Sequence, residues 1–158
     1  GNTISFLLLF DYYKKVTLMN IKNSDKLYIY DRENRQCFFC GKILKYKQIT
    51  LDHYIPKSKK GTTDIFNLVL SCKQCNKLKG NRVPKDYEDI ILDLFLRAVQ
   101  DNHITGCGLK TPQKILKKDL LAINRIEALT THFVFQSNTK RFYVKNNMVF
   151  KIVHITQS

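Results

Sequence analysis

Two Cys-x-x-Cys pairs, Cys37/Cys40 and Cys72/Cys75, constrain this chain more than any other feature. Each pair turns tightly enough to offer two thiolates to one tetrahedral ion, and two pairs complete its shell. The spacing therefore predicts a structural Zn2+ site, closed to substrate because all four positions are filled. One pair alone would fit a redox dithiol or buried thiols equally well. The second pair, with Gly41 directly after the first, favours the metal. The 31 residues 41–71 that separate the pairs exceed the usual zinc-ribbon gap, which leaves room for a second site between the two halves. Thiols kept free for a metal imply a reducing compartment, so an intracellular protein is expected, cytoplasmic or nucleoid-associated. The fifth cysteine, Cys107 between two glycines, is a bystander.

Charge points to the partner. The 158 residues carry 27 Lys+Arg against 13 Asp+Glu, a formal net charge of +14. An excess of this size favours a polyanion, through counterion release at phosphates and long-range steering. Basic residues also crowd the cysteine-bounded stretch. Lys57, Lys59 and Lys60 lie inside it, and Lys79 and Arg82 close it. These five are the candidate nucleic-acid contacts, of the kind that position a strand without reading its sequence. The partner expected is DNA, with RNA left open. The apolar run Phe6–Phe10 is far too short to span a membrane, so no membrane partner is expected.

The pattern along the chain predicts an α+β fold: a zinc-stapled ββα-metal motif with flanking helices and a C-terminal antiparallel β-meander. Alternation at Ile4, Phe6, Leu8 and Phe10, then Val16 and Leu18, predicts short strands over 4–21. A helix over 25–34, capped by Ser24 or Asp25, leads to Cys37. Strands over 48–53 and 66–71 follow, then a helix from Cys72 to Gly80. Asp86 is positioned to cap a helix over 87–100, whose Tyr87, Ile90, Ile91, Leu94, Phe95 and Ala98 form one apolar stripe. A loop over 101–111 precedes a helix begun by Thr111-Pro112 and running to Leu129. Strands over 132–136, 141–145 and 148–155 end the chain, the last two joined by an Asn146-Asn147 turn. Three parts are expected: 1–36 packing on the motif, 37–84 as the motif, and 85–158 as an extension.

Between the cysteine pairs lies Asp52-His53. His53 is the only one of four histidines next to a carboxylate. A neutral imidazole suits activation of water, and a hard divalent ion on oxygen ligands suits a departing alkoxide. Asp52 and Asn76 offer such oxygens. An isolated Asp-His pair is better explained as surface polarity, and neighbours on a regular strand point to opposite faces, so a shared site requires the strand to end or distort there.

The surroundings decide the reading. Asp52-His53, then Pro56, Ser58 and Gly61, then Asn67-Leu68-Val69, then Cys72-x-x-Cys75-Asn76-x-x-Lys79-Gly80 closely resemble the HNH endonucleases of the ββα-metal fold, in their four-cysteine zinc subtype. The resemblance covers residues 37 to about 84. It implies His53 as general base, Asp52 and Asn76 as ligands of a catalytic Mg2+ or Mn2+, and Asn67 as the brace of the loop that orients the base. It implies hydrolysis of DNA phosphodiesters to 5′-phosphate and 3′-hydroxyl ends. Two departures stand out. Asn76 replaces the last histidine of the family's letters, and Lys60-Gly61 replaces its common Gly-Gly. The competing reading is a zinc-stabilised nucleic-acid-binding module without catalysis. Target sequence, nicking against double-strand cleavage and oligomeric state are open, and residues 85–158 resemble nothing nameable.

Overall fold

A computed structural model of the protein describes residues 21–129 and 131–155. The strands expected over 4–21 fall outside the described residues, apart from Ile21. The described chain is α+β, in agreement with the sequence pattern.

Helix α1, Asn23–Arg32, starts earlier than expected, and no side chain caps it. Its basic end is buried. The Arg32 guanidinium donates to the carbonyls of Ile65 and Leu68, at 2.9 and 2.5 Å, and to the Glu33 carboxylate. A guanidinium without water is tolerable only with such partners. These bonds tie α1 to the second strand of the motif. β1, Thr50–His53, and β2, Leu68–Ser71, form a two-stranded antiparallel sheet in which Asp52 faces Val69 and His53 faces Leu68. Helix α2, Lys73–Lys79, follows directly and ends at Gly80, whose φ of 56° suits a residue without a side chain. Strand, loop, strand and helix thus occur in the order the cysteine-bounded stretch predicts.

Helix α3, Tyr87–Gln100, has the predicted bounds, with Ile91, Leu94, Phe95, Ala98 and Val99 buried. Asp86 sits at its N-cap position without capping it. Its carboxylate instead accepts from the Tyr54 hydroxyl at 2.6 Å. The predicted helix to Leu129 is corrected: α4 covers only Gln113–Leu121 and follows Pro112, and Arg125–Leu129 is a strand, β4. The reason is tertiary. Residues 125–129 pair with β5, Phe133–Gln136, and complete the sheet on that side. The loop after α3 also holds a two-residue strand, β3, Thr105–Gly106. With β6, Lys140–Lys145, and β7, Met148–His154, the sheet order is β3-β7-β6-β5-β4. Every pairing is antiparallel except β3 with β7. Asn146 and Asn147 turn β6 into β7 with φ of 55° and 59°, as their tolerance of that region predicts.

One apolar core joins the motif to the C-terminal half. Phe66, fully buried in the turn before β2, meets Phe95 of α3 and Phe133 and Phe135 of β5 at ring separations of 5.1, 5.0 and 5.5 Å. A second seam is polar and reciprocal. The Asp64 carboxylate accepts from the Asn147 backbone N–H at 2.6 Å, and the Asn147 side-chain oxygen accepts from the Ile65 N–H at 2.8 Å.

Candidate active site and metal centre

The four sulfurs of Cys37, Cys40, Cys72 and Cys75 lie within 4.8 Å of one another, with Cys40 and Cys72 at 3.9 Å. Four sulfurs bonded to one tetrahedral zinc ion stand about 3.8 Å apart, so the cluster fits such an ion. The protein half-prepares the ligands. Burial pushes the Cys37 thiol up, but N–H groups of Cys40, Cys72 and Phe39 outweigh it and hold it down at about 6. Cys75 moves the opposite way, mainly because it shares a hydrogen bond with the Cys72 sulfur. Four crowded sulfurs cannot all be thiolates without a cation, and a bound metal removes that conflict. Cys72 has a second task. It is the N-cap of α2, and its sulfur accepts from the Cys75 N–H at 3.4 Å.

The Asp52-His53 pair lies at the end of β1, and the two side chains have separate partners. His53 Nε2 lies 3.1 Å from the Thr63 hydroxyl, and no described residue bonds its Nδ1. Burial, reinforced by the positive charges of Lys57 and Lys79, lowers the His53 pKa to about 4. The ring is therefore neutral at physiological pH. Asp52 is buried beside the ammonium of Lys79, with Nζ 3.3 Å from Oδ2 and bonded to Oδ1 at 3.4 Å. Oδ2 lies in ion-pair range but makes no hydrogen bond. Burial pushes the Asp52 carboxyl up and Lys79 only partly opposes it. A buried carboxylate oxygen without a hydrogen bond suits a hard divalent cation.

Asn67 is fully buried and makes three bonds. Its side-chain oxygen accepts from the Ile55 N–H at 2.9 Å, and its amide donates to the carbonyls of Ile55 and Thr62 at 3.0 and 2.7 Å. It thereby closes the loop that follows His53. Gly61 completes the closure, since a Cβ there would meet the Ile55 carbonyl oxygen at 1.7 Å. Lys60, where the family's pattern has glycine, adopts φ of 71°. The second glycine is sterically required, whereas the first position accepts a side chain at some strain.

Asn76 lies on α2, three residues before Lys79, so the two share a face of the helix. It is half-buried and lines a cavity of about 430 Å³ with Thr50 and Leu51 of β1 and Lys26 of α1. The five basic candidates divide. Lys57 and Lys59 are exposed on a turn of 3₁₀ helix, and Lys60 is exposed beside them. Arg82 is exposed but also caps α2, donating to the carbonyls of Leu78 and Lys79 at 2.8 and 3.2 Å. Lys79 departs from expectation. It is 8% exposed, and its ammonium turns inward to Asp52 and to the His53 carbonyl at 2.9 Å, so it serves the strand end instead of facing solvent. Sequence reasoning missed Thr63, and no pattern singled it out. Only the closed loop brings it to His53.

Comparison with known proteins finds matches to part of the chain. Residues 37–82 match the family model for HNH endonucleases. Over 51 residues the chain is 39% identical to the CRISPR-associated endonuclease Cas9 of Corynebacterium diphtheriae, a match covering 32% of this chain and 5% of that protein. The crystal structure of the Type II-C Cas9 enzyme from Actinomyces naeslundii aligns with 76% of this chain and 15% of its own, at 19% identity and a TM-score of 0.37. The chain thus spans only a small part of the relatives it matches. Among the described residues no helix is long and apolar enough to cross a membrane. The matched stretch holds the four thiols, the end of β1 and the start of α2.

Proposed function

We propose that this protein is a metal-dependent endonuclease that hydrolyses DNA phosphodiester bonds to 5′-phosphate and 3′-hydroxyl ends. The observation that carries the reading is the pair at the end of β1: a neutral His53 ring held through one nitrogen, beside a buried Asp52 oxygen that lacks a hydrogen bond.

His53 is the general base. Nδ1, which no described residue bonds, is the nitrogen open to water. In the tautomer whose Nε2–H donates to the Thr63 hydroxyl, it carries the lone pair and takes a proton from water as that water attacks phosphorus. Thr63 holds the ring through Nε2, and Asn67 with Gly61 holds the loop that carries Thr63. Asp52 and Asn76 hold Mg2+ or Mn2+, which when bound supplies positive charge to the departing 3′ oxygen. Lys79 keeps the Asp52 carboxylate in place and moderates its charge. Lys57, Lys59, Lys60 and Arg82 contact phosphates. Cys37, Cys40, Cys72 and Cys75 hold a structural Zn2+, supported by the spacing of their sulfurs.

The test is cleavage of supercoiled plasmid by wild type and His53→Ala, with Mg2+, with Mn2+ and with chelator. Wild type should cut only with added ion, and the variant should be slower by about 10²-fold or more. DNA binding without cleavage under every condition would instead identify an inactive zinc-stabilised binding module. Equal cleavage by a folded His53→Ala protein would remove the base from His53.

A further inference from the structure

The catalytic residues proposed above sit in the motif, yet a groove beside them is walled mostly by other parts of the chain. It measures about 800 Å³ and passes Thr63, the partner of His53, so it opens next to the proposed base. One wall is the loop with Lys57 and Lys60. The second is the start of α1, with Lys22 and Asp25. The third is the β6–β7 turn, with Lys145 and Asn146. Four lysines from three separate parts of the chain thus face one space, against a single carboxylate. All four are exposed, and none makes an ion pair with a described residue. Ile21 lines this groove and also the smaller cavity containing Asn76 and Lys26, so the two spaces adjoin across the start of α1.

The position of Lys145 is fixed relative to the motif. Two residues on, Asn147 exchanges hydrogen bonds with Asp64 and Ile65. The turn is thereby held against the loop that leads from His53 to β2. Convergent cations that form no ion pair with a described residue suit a line of phosphates.

We propose that this groove binds the phosphate backbone of a nucleic-acid strand, and that Lys22 and Lys145, outside the HNH motif, hold the strand on the His53 side of the scissile bond. The proposal rests on the nucleic-acid reading above and extends the substrate site to the start of α1 and the C-terminal sheet.

Binding can be separated from cleavage in the His53→Ala background. A fluorescein-labelled DNA duplex, and one of its strands alone, are titrated by anisotropy with the full chain, from about 50 to 200 mM salt. Lys22→Ala/Lys145→Ala should weaken binding by on the order of tenfold. It should also flatten the slope of log Kd against log salt by about 1.8 on duplex or about 1.4 on single strand, as expected for two lost phosphate contacts. The probe whose binding and slope change is the form that occupies the groove. A control, Lys114→Ala/Lys118→Ala, removes the same charge from the exposed face of α4 and should leave the slope close to that of the parent. Equal effects of the two pairs would reduce the result to net charge and overturn the proposal, as would unchanged binding by Lys22→Ala/Lys145→Ala. Thermal unfolding of each variant guards against a folding defect. If wild type fails to cut plasmid while the groove pair still alters binding, the nuclease reading fails and the groove stands.

Discussion

At the scale of single residues, protonation of His53 links the site to stability. The folded ring titrates near 4 because burial and two lysines oppose its charge, while an unfolded histidine titrates near 6.5. Between those values the unfolded chain binds a proton that the folded chain refuses, so stability rises with pH. Wild type should therefore lose stability as pH falls from 6.5 toward 4, and His53→Ala should lack that component. Urea midpoints measured without added divalent ion should show wild type losing ground to the variant on acidification. A constant difference between them would mean that the ring is solvated like any exposed histidine. The residues that sequence could identify here were those with chemistry at a characteristic spacing: the four cysteines, Asp52-His53, Asn67 and Asn76. The direction in which each side chain points was not legible. Lys79 reads as one more cation in a basic stretch, yet it lies under Asp52. Thr63 reads as a loop hydroxyl, yet it touches the imidazole.

At the scale of elements, legibility followed the strength of the local signal. Helix α3 has a long apolar stripe and was readable to its ends, because burial of that stripe agrees with local helix preference. The end of α4 was not readable. Residues 125–129 carry no strong periodicity, and pairing with β5 decides their state. Helix α2 is the sharpest case of an element that its sequence does not sustain alone. Its seven residues are too few to be stable in water, and a cysteine of the metal cluster is its N-cap. With the proposed Zn2+ on the four thiols, helix, metal and the placement of Asn76 would form one unit. Stripping the structural ion with a strong chelator should unfold α2 and abolish cleavage, and excess Mg2+ should not restore it. Circular dichroism and a plasmid assay on the metal-free protein check both consequences. A metal-free protein that still cuts DNA would show that α2 holds its position through packing on β1 alone.

At the scale of the molecule, the extension is a structural partner of the motif. Its strands and the Asn146-Asn147 turn were visible in the alternation and the paired asparagines. Their docking was not, because ring contacts between residues 66, 95, 133 and 135 depend on how the chain returns on itself. Phe66 belongs to the matched segment by sequence and to the C-terminal core by packing. Truncating it removes contacts to α3 and β5 together. Phe66→Ala should cost about 3–5 kcal/mol, the usual range for a fully buried phenylalanine. The informative observable is cooperativity. If motif and extension fold as one unit, zinc release and loss of sheet signal should share a single urea transition in wild type and shift together in the variant. Two separated transitions in wild type would mean that the motif folds independently and that the phenylalanine cluster is only a contact surface. The reciprocal Asp64–Asn147 bonds favour the single transition, since they bind the loop of the motif to the β6–β7 turn at the rim of the proposed groove. In that case the placement of the β6–β7 turn against the loop is set by the stability of the whole fold, and a core substitution far from His53 should loosen strand binding along with it.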